Sequence, residues 1–297
     1  MPVIENPIGL ELDNIILATD FTSGSLVAEQ YAEALAGRFC AKVTVANVVD
    51  LSVATRSPSA VVGLPIEEMK HKAVEGVGKL VDSLRDAGIR SEGTTLSSYN
   101  VGSAIVDLSQ QSDANLIVMG TKATRGLSKM IVGSVAEGVI HHAKCPVITV
   151  GPRVRKLNAP VLSIENIVFA TDLKHDVAMK AAVVLTFAKD SVSHIHICHV
   201  LDHSGDKFGD TLELQLNAEA ALRKLIPKPT YEWCSPRYIV EAGEVGQHVL
   251  QLAKRVHADL IVLGAHRDAT WFTHLSEGVI ETVLAHAECP VMTICTN

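Results

Sequence analysis

Short, unbroken apolar runs alternate along this chain with segments whose apolar residues recur at helical spacing. Ile15 to Ala18 and Leu116 to Met119 are apolar over consecutive positions, as in strands buried on both faces of a parallel sheet, and Cys145 to Val150 reads as another strand. Between them, Ala28, Tyr31, Ala32, Leu35, Ala36 and Phe39 fall on one stripe of a helix that starts near Ser23, its N-cap candidate. Lys42 to Val49 reads as a second strand and Pro65 to Asp86 as a second helix, with Pro65 suited to the first turn. Arg90 to Ser97 is a weaker strand and Val101 to Gln111 a further helix. The Ser-, Val- and Ala-rich stretch 51–64 is expected to form a mobile flap.

The pattern then repeats. Asp20 and its strand recur at Asp172, and Asn47 recurs as His199, both 152 positions on. Gly120 recurs as Gly264 and Cys145 as Cys289, both 144 positions on, so the second copy is eight residues shorter between its ends. Its helices keep their stripes, through Val177, Ala181, Val184, Leu185 and Ala188 and later through Val245, Val249, Leu252 and Val256. The Gly-, Pro- and Arg-containing stretch from Gly151 to Pro160 reads as an exposed linker. Two α/β domains are expected, 1–151 and 152–297, each a parallel sheet covered on both faces with right-handed crossovers. Ligands of such sheets bind beyond the carboxyl ends of the strands, where the strand order reverses.

Composition narrows the function. The chain has 297 residues, 47% hydrophobic, 20% charged and 4% aromatic, enough for two ordinary cores. A net charge of −7 without a basic stripe argues against nucleic acid as a partner. No segment approaches the roughly 18 apolar residues of a membrane helix. The N-terminal residues lack the basic start and apolar core of a signal peptide. The six cysteines form no C-x-x-C pair and read as reduced, buried thiols, so a cytoplasmic location is expected.

Chemistry gathers after the strand ending at Met119. Gly120, Ala123, Gly133 and Ser134 lie in a glycine-bearing loop that runs into a helix over 135–142. Glycines let backbone approach a ligand closely, Ser134 is placed to cap the helix, and the orphan N–H groups of the first turn suit an anion. The loop resembles the nucleotide loop of the universal stress protein family, G-x2-G-x9-G-[ST], with Ala123 at the second glycine position. The resemblance implies two tandem flavodoxin-like (Rossmann-like) domains of strand order 3-2-1-4-5, with the ligand crevice between strands one and four. It implies ATP, alone or with Mg, as ligand. Ala18, Thr19, Asp20 and Val48 would line the adenine and ribose side, with Asp20 as acceptor. Met119, Gly120 and Ala123 would form the floor and loop, and Gly133, Ser134 and Val135 would meet the phosphates. Lys122, Arg125 and Lys129 are loop cations that would add charge or stay solvated. The family's role implies a nucleotide-responsive regulator in the stress response. Its members pair through their last strands, which implies an intrachain pseudo-dimer, a homodimer and a protein partner of unknown kind.

This loop is neither a Walker loop nor a dinucleotide fingerprint, and no general base stands out beside it. Weak hydrolysis at most is expected; a slow nucleotide hydrolase and a nucleotide-free interaction scaffold are the alternative readings. In the second copy Arg267 replaces Ala123, and Glu277-Gly278 replaces Gly133-Ser134, which puts a carboxylate where the first copy would seat phosphate. ATP binding is not expected there. His194, His196 and Cys198 share one face of a strand and His199 the other, too close together to close a tetrahedral metal site; His199 is expected at the second crevice.

Overall fold

The computed structural model describes residues 11–52, 66–121, 133–174, 176–189, 193–201, 211–266 and 278–296. They form two compact units, the first from the described residues of 12–162 and the second from those of 163–297.

In the first unit, β1 (Asn14–Ala18), β2 (Lys42–Asp50), β3 (Ser91–Ser98), β4 (Leu116–Gly120) and β5 (Val147–Val150) pair in parallel in the order β3-β2-β1-β4-β5. The expected 3-2-1-4-5 order is the one observed. β1 is central, with Ala18 opposite Ala46 on β2 and Met119 on β4. Ile15, Ile16 and Leu17 are wholly buried, as are Leu116, Ile117 and Val118, which explains runs apolar at every position. β3 lies at the sheet edge and is largely half-exposed, hence its weak pattern.

The helices are α1 (Ser23–Phe39), α2 (Ile66–Asp86), α3 (Val101–Gln111) and α4 (Ser134–His142). Ala28, Tyr31, Ala32, Leu35 and Ala36 of the α1 stripe are buried. Ser23 is not the cap of α1: Thr22 holds that position without a side-chain cap bond, and its hydroxyl donates to Asp20 Oδ1 at 2.6 Å. Helix α3 is capped by Asn100, whose side chain accepts from the Ser103 N–H. Pro65 and most of the stretch expected to be a flap lie outside the described residues.

The second unit repeats the plan with β6 (Asn166–Ala170), β7 (His194–Leu201), β8 (Ser235–Ala242), β9 (Leu260–His266) and β10 (Val291–Thr296), in parallel order β8-β7-β6-β9-β10. Its helices are α5 (Val177–Ala188), α6 (Thr211–Leu222), α7 (Val245–Arg255) and α8 (Val279–His286). Helix α6 escapes a periodicity reading because Leu212, Leu214 and Leu216 are all exposed. No helix among the described residues is long and apolar enough to cross a membrane.

Candidate functional site

The carboxyl ends of β1 and β4 open on a cavity of about 260 Å³ in the first unit. Of the residues expected there, Ala18, Thr19, Asp20, Val48, Met119, Gly120, Gly133, Ser134 and Val135 line it together. Ala123 lies outside the described residues, as do Lys122, Arg125 and Lys129. Ser25, Ala46, Val101, Ile105, Thr121 and Ala136 complete the lining and were not anticipated.

One wall is a strained turn. Phe21 has φ 58°, a left-handed conformation that a bulky side chain adopts only when its surroundings enforce it. Two side chains do so: the Phe21 N–H donates to Thr19 Oγ1 at 3.0 Å and the Thr22 N–H to Asp20 Oδ1 at 3.0 Å. The same double brace recurs in the second unit, where Leu173 has φ 60°, its N–H donates to Thr171 Oγ1 at 3.1 Å, and the Lys174 N–H donates to Asp172 Oδ1 at 3.0 Å. Each turn sets its aspartate at the cavity edge with one carboxylate oxygen already accepting from backbone.

Beneath that turn the Thr19 hydroxyl donates to Glu29 Oε1 at 2.8 Å. Burial pushes the Glu29 carboxyl above its ordinary range, the Thr19 hydroxyl pulls it part-way back, and the charge of Asp20 pushes it further up. Buried Asn47 donates to the Thr19 carbonyl at 2.8 Å and fixes the end of β1.

The start of α4 also borders the cavity. Ser134, expected as its cap, is instead its first residue; Gly133 holds the cap position with φ −60° and ψ 142° and offers no side-chain cap bond. Among the described residues no side chain caps the first-turn N–H groups of Ser134, Val135 and Ala136, which border the cavity. Among the described residues a Cβ on Gly133 would meet nothing within 4 Å, so no close contact there requires a glycine.

The corresponding place in the second unit is a smaller cavity of about 180 Å³, bordered by Asp172, His199, Leu263 and Gly264. His199 is where Asn47 stands in the first unit and makes the equivalent bond, Nδ1 to the Thr171 carbonyl at 2.8 Å. Lys180 runs under Gly264, whose Cβ would come within 2.9 Å of its Cδ. Burial lowers the Lys180 ammonium's pKa, while Asp172, Cys295 and Asp176 partly restore it. Among the described residues no group of three or more His, Cys, Asp or Glu side chains could hold a metal ion.

A family model described as the universal stress protein family matches residues 11–151 and again 163–294. The chain belongs to that family. Among curated relatives, a universal stress protein of Methanocaldococcus jannaschii is 33% identical over 144 residues, covering 46% of this chain and 80% of its own. A putative universal stress protein of Staphylococcus aureus is 32% identical over 139 residues, covering 46% and 82%. Among solved structures, a universal stress protein from Archaeoglobus fulgidus superposes with a TM-score of 0.69 at 21% identity over 97% of this chain and 100% of that one. A putative one from Pseudomonas aeruginosa gives 0.63 at 16% over 96% and 93%. These two share the whole tandem fold of this universal stress protein.

Sequence reasoning missed Gly24, whose backbone packs on Gly120, and Lys180. Gly24 left a faint signal, a glycine in the first turn of a helix where it should destabilise. Lys180 left a clearer one, a lysine inside a stripe otherwise apolar.

Proposed function

We propose that the first unit binds ATP, alone or with Mg, and that the chain is a nucleotide-responsive regulator of the stress response acting in the cytoplasm. One observation carries this reading: the first turn of α4 and the Asp20 turn border the same cavity. Backbone N–H groups at a helix start receive phosphate oxygens, and a carboxylate receives ribose or adenine hydrogens. Gly120 and Met119 form an apolar floor between them, and Val48 closes the side toward β2. The fit is chemical as well as spatial, since the described groups at the start of α4 are backbone N–H donors and Asp20 accepts hydrogen bonds.

Hydrolysis is not part of the proposal. The Glu29 carboxyl is tied to Thr19 behind the cavity wall rather than lining it, so it is badly placed to activate a water.

The test is direct. Freshly purified protein is denatured and any released nucleotide identified by mass spectrometry; stripped protein is then titrated with ATP, and turnover is measured. Saturable binding lost in Asp20→Asn or Gly133→Glu supports the reading. No released nucleotide together with no measurable ATP affinity leaves an interaction scaffold. Turnover well above background that collapses in Ser134→Ala makes the chain a hydrolase.

A further inference from the structure

We propose that the second unit binds an uncharged nucleoside, its sugar hydroxyls on Asp172 and His199 and its base against the apolar wall of the smaller cavity. The choice of a nucleoside over another small hydroxylated molecule rests on reading the first cavity as a nucleotide site, because the two cavities share their walls position by position. Ala170 repeats Ala18, Val200 repeats Val48, and Val245 repeats Val101, all three lining.

What differs is the phosphate end. Four consecutive residues, Gly133 to Ala136, line the first cavity, whereas Val279 alone represents α8 in the second. Gly278 precedes α8 with φ 97°, a left-handed turn, where Gly133 is extended. The helix start therefore no longer forms a cavity wall, and with it goes the row of N–H donors that holds an anion.

The sugar end has gained an acceptor. A carbonyl only accepts, so the 2.8 Å bond to Thr171 puts the proton of a neutral His199 ring on Nδ1 and leaves Nε2 as an acceptor. His199 lines its cavity and Asn47 does not line the first. Asp172 supplies the second acceptor. Two acceptors lining one cavity suit a ligand with two donors, the arrangement of a vicinal diol.

The nearby cations do not reverse this. Lys180 is 1% exposed, is not in the cavity lining, and has the carboxylates of Asp172 and Asp176 around it, so its charge is balanced internally. Lys174 lines the rim but is exposed, hence solvated.

The experiment is equilibrium dialysis of the full chain against labelled adenosine, with AMP and ATP as competitors. The variants are Asp20→Asn, Asp172→Asn and His199→Asn; the last keeps a Thr171 bond of the Asn47 kind while withdrawing the ring. Saturable adenosine binding that survives Asp20→Asn, and weakens about ten-fold or more in Asp172→Asn and His199→Asn, is the expected result. AMP and ATP should compete at that site about ten-fold more weakly than adenosine itself. No saturable adenosine binding, loss in Asp20→Asn alone, no weakening in folded His199→Asn, or equal competition by AMP overturns the proposal. Titrating ATP into the Asp172→Asn protein reports the first cavity separately, so the two readings fail independently.

Discussion

Gly120 and Gly24 meet backbone to backbone: a Cβ on Gly120 would stand 2.6 Å from the Gly24 carbonyl oxygen and 3.0 Å from the Ser25 Cα. The end of β4 and the start of α1 approach this closely because neither residue has a side chain. That approach sets Ser25 and Gly120 on one cavity surface.

Gly120→Ala therefore overpacks against backbone, which cannot rotate out of the way as a side chain can. A loss of about 1–3 kcal/mol is expected, read from urea midpoints at constant m-value. ATP affinity should fall with it, since α1 must move away from the cavity floor. Unchanged stability and affinity together would mean that the close approach is not part of the native state.

Much of this was open to inspection in the sequence. The two offsets, 152 and 144, locate two units, and the apolar runs locate the strands because a parallel sheet buries both faces. The site was legible where backbone chemistry shows in residue type, as at Gly120, Gly133 and the β1 end. It was illegible where it depends on contacts distant in sequence. Nothing local marks Ala136 or Ile105 as lining, and nothing marks Phe21 as left-handed, because its conformation is imposed by Thr19 and Asp20. The helix caps each stand one residue earlier than residue type suggested, at Thr22 rather than Ser23 and at Gly133 rather than Ser134.

Phe21 and Gly76 should be energetically coupled. A Cβ on Gly76, which lies in α2, would come 2.8 Å from Phe21 Cε2 and 2.9 Å from its Cζ. Alanine normally gains about 1 kcal/mol over glycine inside a helix. Gly76→Ala should forfeit that gain against the Phe21 ring and recover it in a Phe21→Ala background. The double-mutant cycle is expected to give a coupling of about 1 kcal/mol by denaturant unfolding. A coupling indistinguishable from zero would mean that the ring does not rest on α2.

Glu29 gives the first unit a pH signature of definite sign. Its folded pKa is raised, chiefly by burial, so the native state holds the proton more tightly than the unfolded chain does. Its favourable contribution is complete below the unfolded value and is lost as pH rises through the folded one. Glu29→Gln keeps an acceptor for Thr19 and removes the titration. Its melting temperature should fall less than that of the parent as pH rises above the ordinary carboxylate range, and be the higher of the two at neutral pH. Identical profiles for the two proteins would place the carboxyl in solvent.

Gly133→Glu copies into the first unit the residue that precedes Gly278 in the second. Its φ of −60° is open to any L-residue and no described residue lies within 4 Å of its Cβ direction, so the fold should tolerate it. The change at a helix cap should stay within about 1 kcal/mol in stability. The new carboxylate would face bound phosphate at close range, where like charges repel by about 4 kcal/mol at an intermediate dielectric. ATP binding should weaken about a hundred-fold or more, measured calorimetrically on stripped protein. Gly133→Ala, which adds volume without charge, should stay within about ten-fold of the parent. If the glutamate variant folds and binds ATP as the parent does, the start of α4 is not where the phosphates sit.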